Sequence, residues 1–318
     1  MSKRITADDV ARAAGVSRST VSFVLNATPG QSISEGVQQR VQVAARELGY
    51  QPDPHARALA SGESHVVLIL LPEWPVEYLL RGMIDTASTV LDDAGYSLVT
   101  MDAHTSGHAT PLWQTLRPDV VIALDDIPTE RAMAIRAANI KLILPAETRY
   151  ETYGKGSGLQ LEHLVARNHH HVAFGSTAIP SMANLNDGRL GHMRQLARAR
   201  GITFQHARVA TESAAEVVGT WLADGVTAVA AFNDDVAALV AGAAIRAGIS
   251  IPSDLAIIGH DDTPLASMFV PALSSVRFNV ADLGRGLAEQ AIAAARGEIA
   301  APIDEAAVQA EVITRESS

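Results

Sequence analysis

Residues 5–61 read ITADDVARAAGVSRSTVSFVLNATPGQSISEGVQQRVQVAARELGYQPDPHARALAS, and this stretch decides what kind of chain follows. Thr6 is a good N-cap, with Asp9 three residues on as the acidic partner of a loose capping box at the positive end of a helix dipole. Val10, Ala11 and Ala14 recur at helical spacing and share one apolar face. Gly15 supplies the freedom a tight turn needs, Val16 plugs the core, and Ser17 caps a second helix whose apolar stripe is Val21, Val24 and Leu25. Arg18, Ser19, Ser22 and Phe23 fall on its other face. This is helix-turn-helix grammar, and such a second helix presents its first turns to base edges in the major groove. Arg18 is suited to a guanine edge or a phosphate, whereas Phe23 suits only apolar base surface such as a thymine methyl. On the turn alone, a three-helix bundle with an ordinary solvated face stays open.

The next segment narrows the choice. Pro52-Asp53-Pro54 ends a third helix and starts another, with Asp53 as N-cap and Pro54 at the first helical position. The helix from His55 to Ser61 is too short to stand alone. It needs a partner, and a symmetry mate and DNA are the obvious ones. Leu59 is then the apolar wedge that would unstack a base step from the minor groove. A plain linker, with Leu59 tucked against the body, is the alternative.

These residues resemble the LacI/GalR (lac repressor) family of bacterial transcription regulators. DVARAAGVSRSTVSFVLN is similar to its helix-turn-helix signature, and RVQVAARELGYQPDPHARALASG to its third helix and hinge. The likeness returns at GVTAVAAFNDDVAALVAGAAIRAGISIPSDLAIIGHDDTPLASMFVPALSSVR and at Val312–Ser317. It is weaker between about residues 65 and 225. The resemblance implies a candidate DNA-contacting set of Thr6, Ser17, Arg18, Ser19, Thr20, Ser22, Phe23, Asn26, Ser34, Tyr50, Ala56 and Leu59.

Composition is consistent with that reading. There is no leading apolar run of signal-peptide character and no stretch approaching the roughly 18 apolar residues of a membrane span, so a cytoplasmic location is expected. The absence of cysteine excludes disulfides, cysteine-ligated metals and thiol chemistry. The net charge of −10 divides unevenly: residues 1–65 hold seven Lys/Arg and six Asp/Glu, a net of +1, and the remainder holds 18 against 29, a net of −11. A headpiece this weakly basic implies that two must act together to hold DNA.

From His65 onward, apolar strand candidates alternate with helical stretches. HVVLILL, YSLVTM, DVVIAL and KLILP come first; HVAF, ARVA, TAVAAF, LAIIG and LSSVRF follow. Continuous apolar runs suit parallel strands buried on both faces, and the βα repetition implies open parallel sheets. Helices are expected at 78–94, 128–139, 156–168, 187–200, 213–223, 234–247 and 280–296. The segment between YSLVTM and DVVIAL is short, so one helix of the first half is trimmed. The fold class expected is an all-α headpiece with a hinge helix, followed by a two-lobed α/β domain resembling periplasmic binding proteins. The boundaries expected are 1–51 for the headpiece, 52–64 for the hinge and linker, and 65–318 for an effector-binding and dimerisation domain. Its lobes would be about 65–147 plus 279–297, and 148–278 plus 298–318.

Ligands in open α/β sheets bind beyond the carboxyl ends of the strands. Asp234 follows the strand TAVAAF there, and the resemblance implies an effector-contacting aspartate at this place. Arg189 looks like the family's effector-binding arginine. Asp261 and Asp262 follow LAIIG; Asp262 joins the candidate set, while for Asp261 the preferred role is bracing the strand end. The loop after the first strand offers Trp74 and Tyr78 where the family usually brings an aromatic pair. Two further departures stand out. The crossover TRYETYGKGSG lacks the family's aspartate, and Phe23 stands where many members carry arginine.

Other signals point less far. His169-His170-His171 cannot all converge on one ion, because adjacent strand residues face opposite ways. The pairs Asp125-Asp126, Asp234-Asp235 and Asp261-Asp262 lack any accompanying nucleophile or phosphate loop, and Trp113 and Trp221 read as core. No metal, cofactor or catalytic residue is expected. The expected function is a homodimeric, operator-binding repressor of a catabolic or transport operon, with affinity set by a sugar-like effector. A cytoplasmic solute-binding or hydrolytic protein using the same cleft is the alternative.

Overall fold

The computed structural model describes residues 5–25, 32–50, 63–73, 78–102, 110–144, 149–298 and 309–318. Asn26, Trp74 and the expected hinge helix with Ala56 and Leu59 lie outside the described residues. The chain divides into two compact units, Met1–His65 and Val66–Ser318.

In the first unit, α1 (Ala7–Ala14), α2 (Arg18–Leu25) and α3 (Glu35–Glu47) pack around Val10, Val21 and Val41, with Ala11, Ala14, Ala44 and Ala45 filling between them. The capping chemistry follows from the residues. Asp9 accepts the Thr6 backbone N–H at 3.0 Å and its hydroxyl at 2.7 Å, and Ser17 Oγ accepts the Thr20 N–H at 3.1 Å to start α2. Gly15 adopts φ +66°, which turns the chain between the two helices.

The second unit contains two sheets, one wholly parallel and one parallel but for its edge strand. The four-stranded one comprises β1 (Val66–Leu71), β2 (Ser97–Asp102), β3 (Val120–Ala123) and β4 (Lys141–Ile143), in the order β2-β1-β3-β4. Its intervening helices are α4 (Tyr78–Asp93), α5 (Leu112–Leu116) and α6 (Thr129–Ala137). Alternation along β1 splits its side chains between two cores. Val67 and Ile69 meet Ala87 and Leu91 of α4, while Leu68 and Leu70 meet Trp113 of α5 and Ile135 of α6. At five residues, α5 is the trimmed element that the short intervening sequence implies.

The six-stranded sheet takes β5 (His171–Thr177), β6 (Thr203–Val209), β7 (Ala228–Ala231), β8 (Ala256–His260), β9 (Ser274–Phe278) and β10 (Ala310–Ile313), in the order β10-β9-β8-β7-β5-β6. All pairs are parallel except β10 on β9. Its helices are α7 (Arg149–Val165), α8 (Ala183–Ala199), α9 (Ala214–Ala223), α10 (Asp234–Arg246) and α11 (Pro264–Met268). Trp221 is buried in this core.

The chain crosses between sheets after β9. Helix α12 (Val280–Ala295) packs its Leu287, Ala288 and Ala291 into the core shared with β1 and α4, and β10 then closes the edge of the other sheet. A Cβ at Gly284 would collide with the Met83 carbonyl of α4, so glycine there permits the close approach of the two helices. The connections out and back meet where the Asn279 N–H donates to the Gln309 carbonyl at 3.0 Å.

Several starts fall earlier than expected: α8 begins at Ala183 rather than 187, and β6 at Thr203 rather than at ARVA, but the largest departure is at α7. Helix α7 begins at Arg149 rather than near residue 156, because the glycine-rich segment is helical rather than a loop. Packing overrides propensity there: Gly154 and Gly158 abut His192 of α8, and a Cβ at Gly156 would run into His260 and Phe278.

Candidate DNA-binding and effector sites

In the headpiece, Thr6, Ser17, Arg18, Ser19, Ser22 and Ser34 are exposed, while Thr20, Phe23 and Tyr50 are half-buried. Ser17 Oγ lies 2.9 Å from Ser19 Oγ and 2.8 Å from Thr20 Oγ1, which ties the start of α2 into one hydroxyl cluster. Arg18 stands 3.8 Å from Asp8, both well exposed, a contact too solvated to hold the guanidinium in place. Tyr50 packs against the headpiece core.

At the carboxyl ends of β7 and β8, a set of charged side chains converges. Arg189 of α8 donates from Nη2 to Asp261 at 3.1 Å and from Nη1 to the Phe232 carbonyl, with its guanidinium carbon 4.7 Å from the Phe232 ring centroid. Both partners of this ion pair are about nine-tenths buried, with 6% side-chain exposure each. Burial alone would raise the Asp261 carboxyl, but Arg189 and then His260 outweigh it and hold it down to about 2. His260, at the end of β8, is depressed first by burial and then by Arg189, so its imidazole is neutral. A carboxylate can only accept, so the hydrogen bond between His260 Nδ1 and Asp261 assigns the proton to Nδ1.

Asp234 opens α10, and its carboxylate is turned inward. One oxygen accepts the Thr263 N–H at 2.6 Å and the Thr263 hydroxyl at 2.9 Å; the other accepts the Ser275 hydroxyl at 2.6 Å. Burial pushes this carboxyl up to about 6 despite the Ser275 and Thr263 donors. The adjacent Asn233 caps α10 by accepting the Val236 N–H at 3.0 Å. Asp262 pairs with Arg277 and Arg315, each at 2.7 Å. Asp261 and Asp262 have φ of +94° and +45°, conformations that cost of order 1–3 kcal/mol each. Clamps on Asp261, Asp262 and Thr263 hold this loop in that shape.

The structure thus gathers Arg189, Asp234, Asp261 and Asp262 around the loop after β8. Tyr78 begins α4 in the other lobe and is 58% exposed. Sequence reasoning missed His260, Thr263 and Ser275. The only trace of Thr263 was its place before Pro264, a cap signature, and Ser275 sat unremarked in a strand. Among the described residues, no group of three His, Cys, Asp or Glu side chains is set to hold a metal ion, and no helix is long and apolar enough to cross a membrane.

Residues 6–53 match the profile of bacterial regulatory proteins of the lacI family, and residues 161–318 that of a periplasmic binding protein-like domain. The HTH-type transcriptional regulator GntR of Pseudomonas aeruginosa is 30% identical over 320 residues, spanning 93% of this chain and 90% of that one. The chain belongs to the LacI family. Another LacI-family relative, the HTH-type transcriptional regulator DegA of Bacillus subtilis, is 28% identical over 308 residues, 88% of each chain. The fold is that of the lac repressor dimer bound to operator and the anti-inducer ONPF, at a TM-score of 0.77 and 23% identity over 99% of both chains. The transcriptional regulator CelR in its cellobiose complex matches at a TM-score of 0.63 and 21% identity, over 99% of this chain and 100% of that one. As a LacI-family member the protein is a DNA-binding transcription regulator with an effector-binding domain, not an enzyme.

Proposed function

We propose that the protein is a cytoplasmic, homodimeric repressor whose grip on a pseudopalindromic operator is set by a small, sugar-like effector. The buried Arg189–Asp261 pair at the carboxyl ends of parallel strands carries this reading. A guanidinium and a carboxylate side by side offer the donors and acceptors that vicinal hydroxyls match, on apolar support from the Phe232 ring. In this reading Arg189 and Asp261 touch the effector, Asp234 and Asp262 act through the loop they hold, and Trp74 and Tyr78 close from the other lobe. Two headpieces would read the half-sites in the major groove, with Leu59 as the minor-groove wedge. Effector binding biases operator affinity by a coupling of about 1–3 kcal/mol.

One solved regulator, a cellobiose complex, supports the ligand class, and the PurR repressors of Vibrio atlanticus and Vibrio vulnificus support the repressor part of the reading. The test is selection of random duplexes by the full-length protein at a fixed salt concentration, followed by a panel of sugars and sugar acids on the selected duplex. A sugar that changes affinity in the wild type and not in R189A or D261N supports the reading. Equal response in all three removes the pair from the effector site.

A further inference from the structure

The outward face of α2 is polar with one exception. Arg18 and Ser22 lie along one side, and Ser19 and Phe23, one turn apart, along the other. Arg18, Ser19 and Ser22 are exposed; Phe23 is half-buried, yet it is not among the side chains packed on the headpiece core. That core takes Val21 from α2, with Val24 and Leu25 packed against it. Among the described residues, the apolar stripe of α2 is therefore complete without the largest apolar side chain on the helix.

A phenyl ring has no donor or acceptor, so it cannot read a base by hydrogen bonding. The apolar group that base edges show in the major groove is the C5 methyl of thymine. Arg18 is placed five residues earlier on the same helix, about 7.5 Å along its axis, or roughly two base-pair steps. We propose that Phe23 sets operator specificity by covering the C5 methyl of one pyrimidine in each half-site, about two base pairs from a guanine bonded by Arg18. The inference rests on α2 entering the major groove. It adds a consequence that hydrogen-bond readout lacks: the recognised feature is the methyl group itself, so 5-methylcytosine substitutes for thymine and deoxyuridine does not.

The experiment uses the full-length protein and the duplex it selects from a random pool, with affinities measured by fluorescence anisotropy at one salt concentration. Each thymine is replaced in turn by deoxyuridine, symmetrically in both half-sites. At one position the replacement should weaken binding about fourfold per half-site, the worth of one buried methyl group. A C·G pair there should regain the same factor when the cytosine is 5-methylated. F23A should bind the thymine and deoxyuridine duplexes equally, while R18A keeps the discrimination. Because Phe23 is outside the headpiece core, F23A should keep its helical circular dichroism; if it does not, F23L provides the comparison and should retain part of the preference. Insensitivity at every thymine, or a deoxyuridine penalty that stays as large as in the wild type in F23A or in F23L, overturns the proposal while leaving DNA binding intact. A selection that enriches no duplex overturns the major-groove reading of α2 and this proposal with it.

Discussion

The two sheets of the body are built from the same βα repeat and differ in what they bury. The core of the four-stranded lobe is apolar: among the described residues, neither it nor the headpiece holds a buried charged or polar side chain of the kind found next door. Every such side chain belongs to the six-stranded lobe, from Gln160 and Ser176 to Arg189, Asp234, His260 and Asp261. Buried charge costs stability unless it is paired, so its confinement to one rim marks where stability has been exchanged for chemistry.

The sharpest way to break this comparison is to strand a charge. R189A leaves the Asp261 carboxylate buried without its cation and should destabilise the body by about 3–5 kcal/mol in urea. Adding D261N should recover most of that loss; no recovery would mean that packing, not charge, governs the rim. In the apolar lobe, L91A removes a fully buried side chain and should cost about 3 kcal/mol, with no dependence on pH.

Titration separates the lobes further. The Asp234 carboxyl is raised from its ordinary 3.8 to about 6, so its neutral form is favoured in the folded state. The stability this contributes is complete below about 3.8 and is lost as pH rises through about 6, up to about 3 kcal/mol in all. His163, depressed to about 4 by burial and by Arg167, works in the opposite sense, losing stability as pH falls from 6.5 through 4. The difference between wild type and D234N therefore isolates Asp234: the variant should gain on the wild type as pH rises from 4 to 7. A constant difference would remove Asp234 as the source. The smallest effect belongs to the cap of α10, where N233A should cost about 1 kcal/mol at any pH in that range.

The headpiece was legible in sequence because its signals are local. A cap, a turn glycine and an apolar stripe all act within a few residues, and Thr6, Gly15 and Ser17 sit where those rules put them. The strands and the rim were legible to the extent that apolar runs mark buried strands; their order in each sheet was not. Two features escaped for the same physical reason. The glycines of α7 read as a loop because their purpose is set by His192 and His260, distant in sequence. The roles of Asp234, Asp261 and Asp262 depend on which way each carboxylate turns, and adjacent residues with positive φ turn differently from any regular element. Sequence spacing places such a group at the rim; its partners come from other elements.

The passage of the chain through α12 and back to β10 bears on how the protein is made. The four-stranded lobe cannot complete the cover over one face of β1 until residues 280–295 are available, and the six-stranded sheet gains its β10 edge only with residues 310–313. A ribosome releasing this chain therefore delivers the headpiece early, as a unit with only short-range contacts, and holds both lobes open until late in synthesis. The reading head can be folded before the part that pairs and regulates it exists.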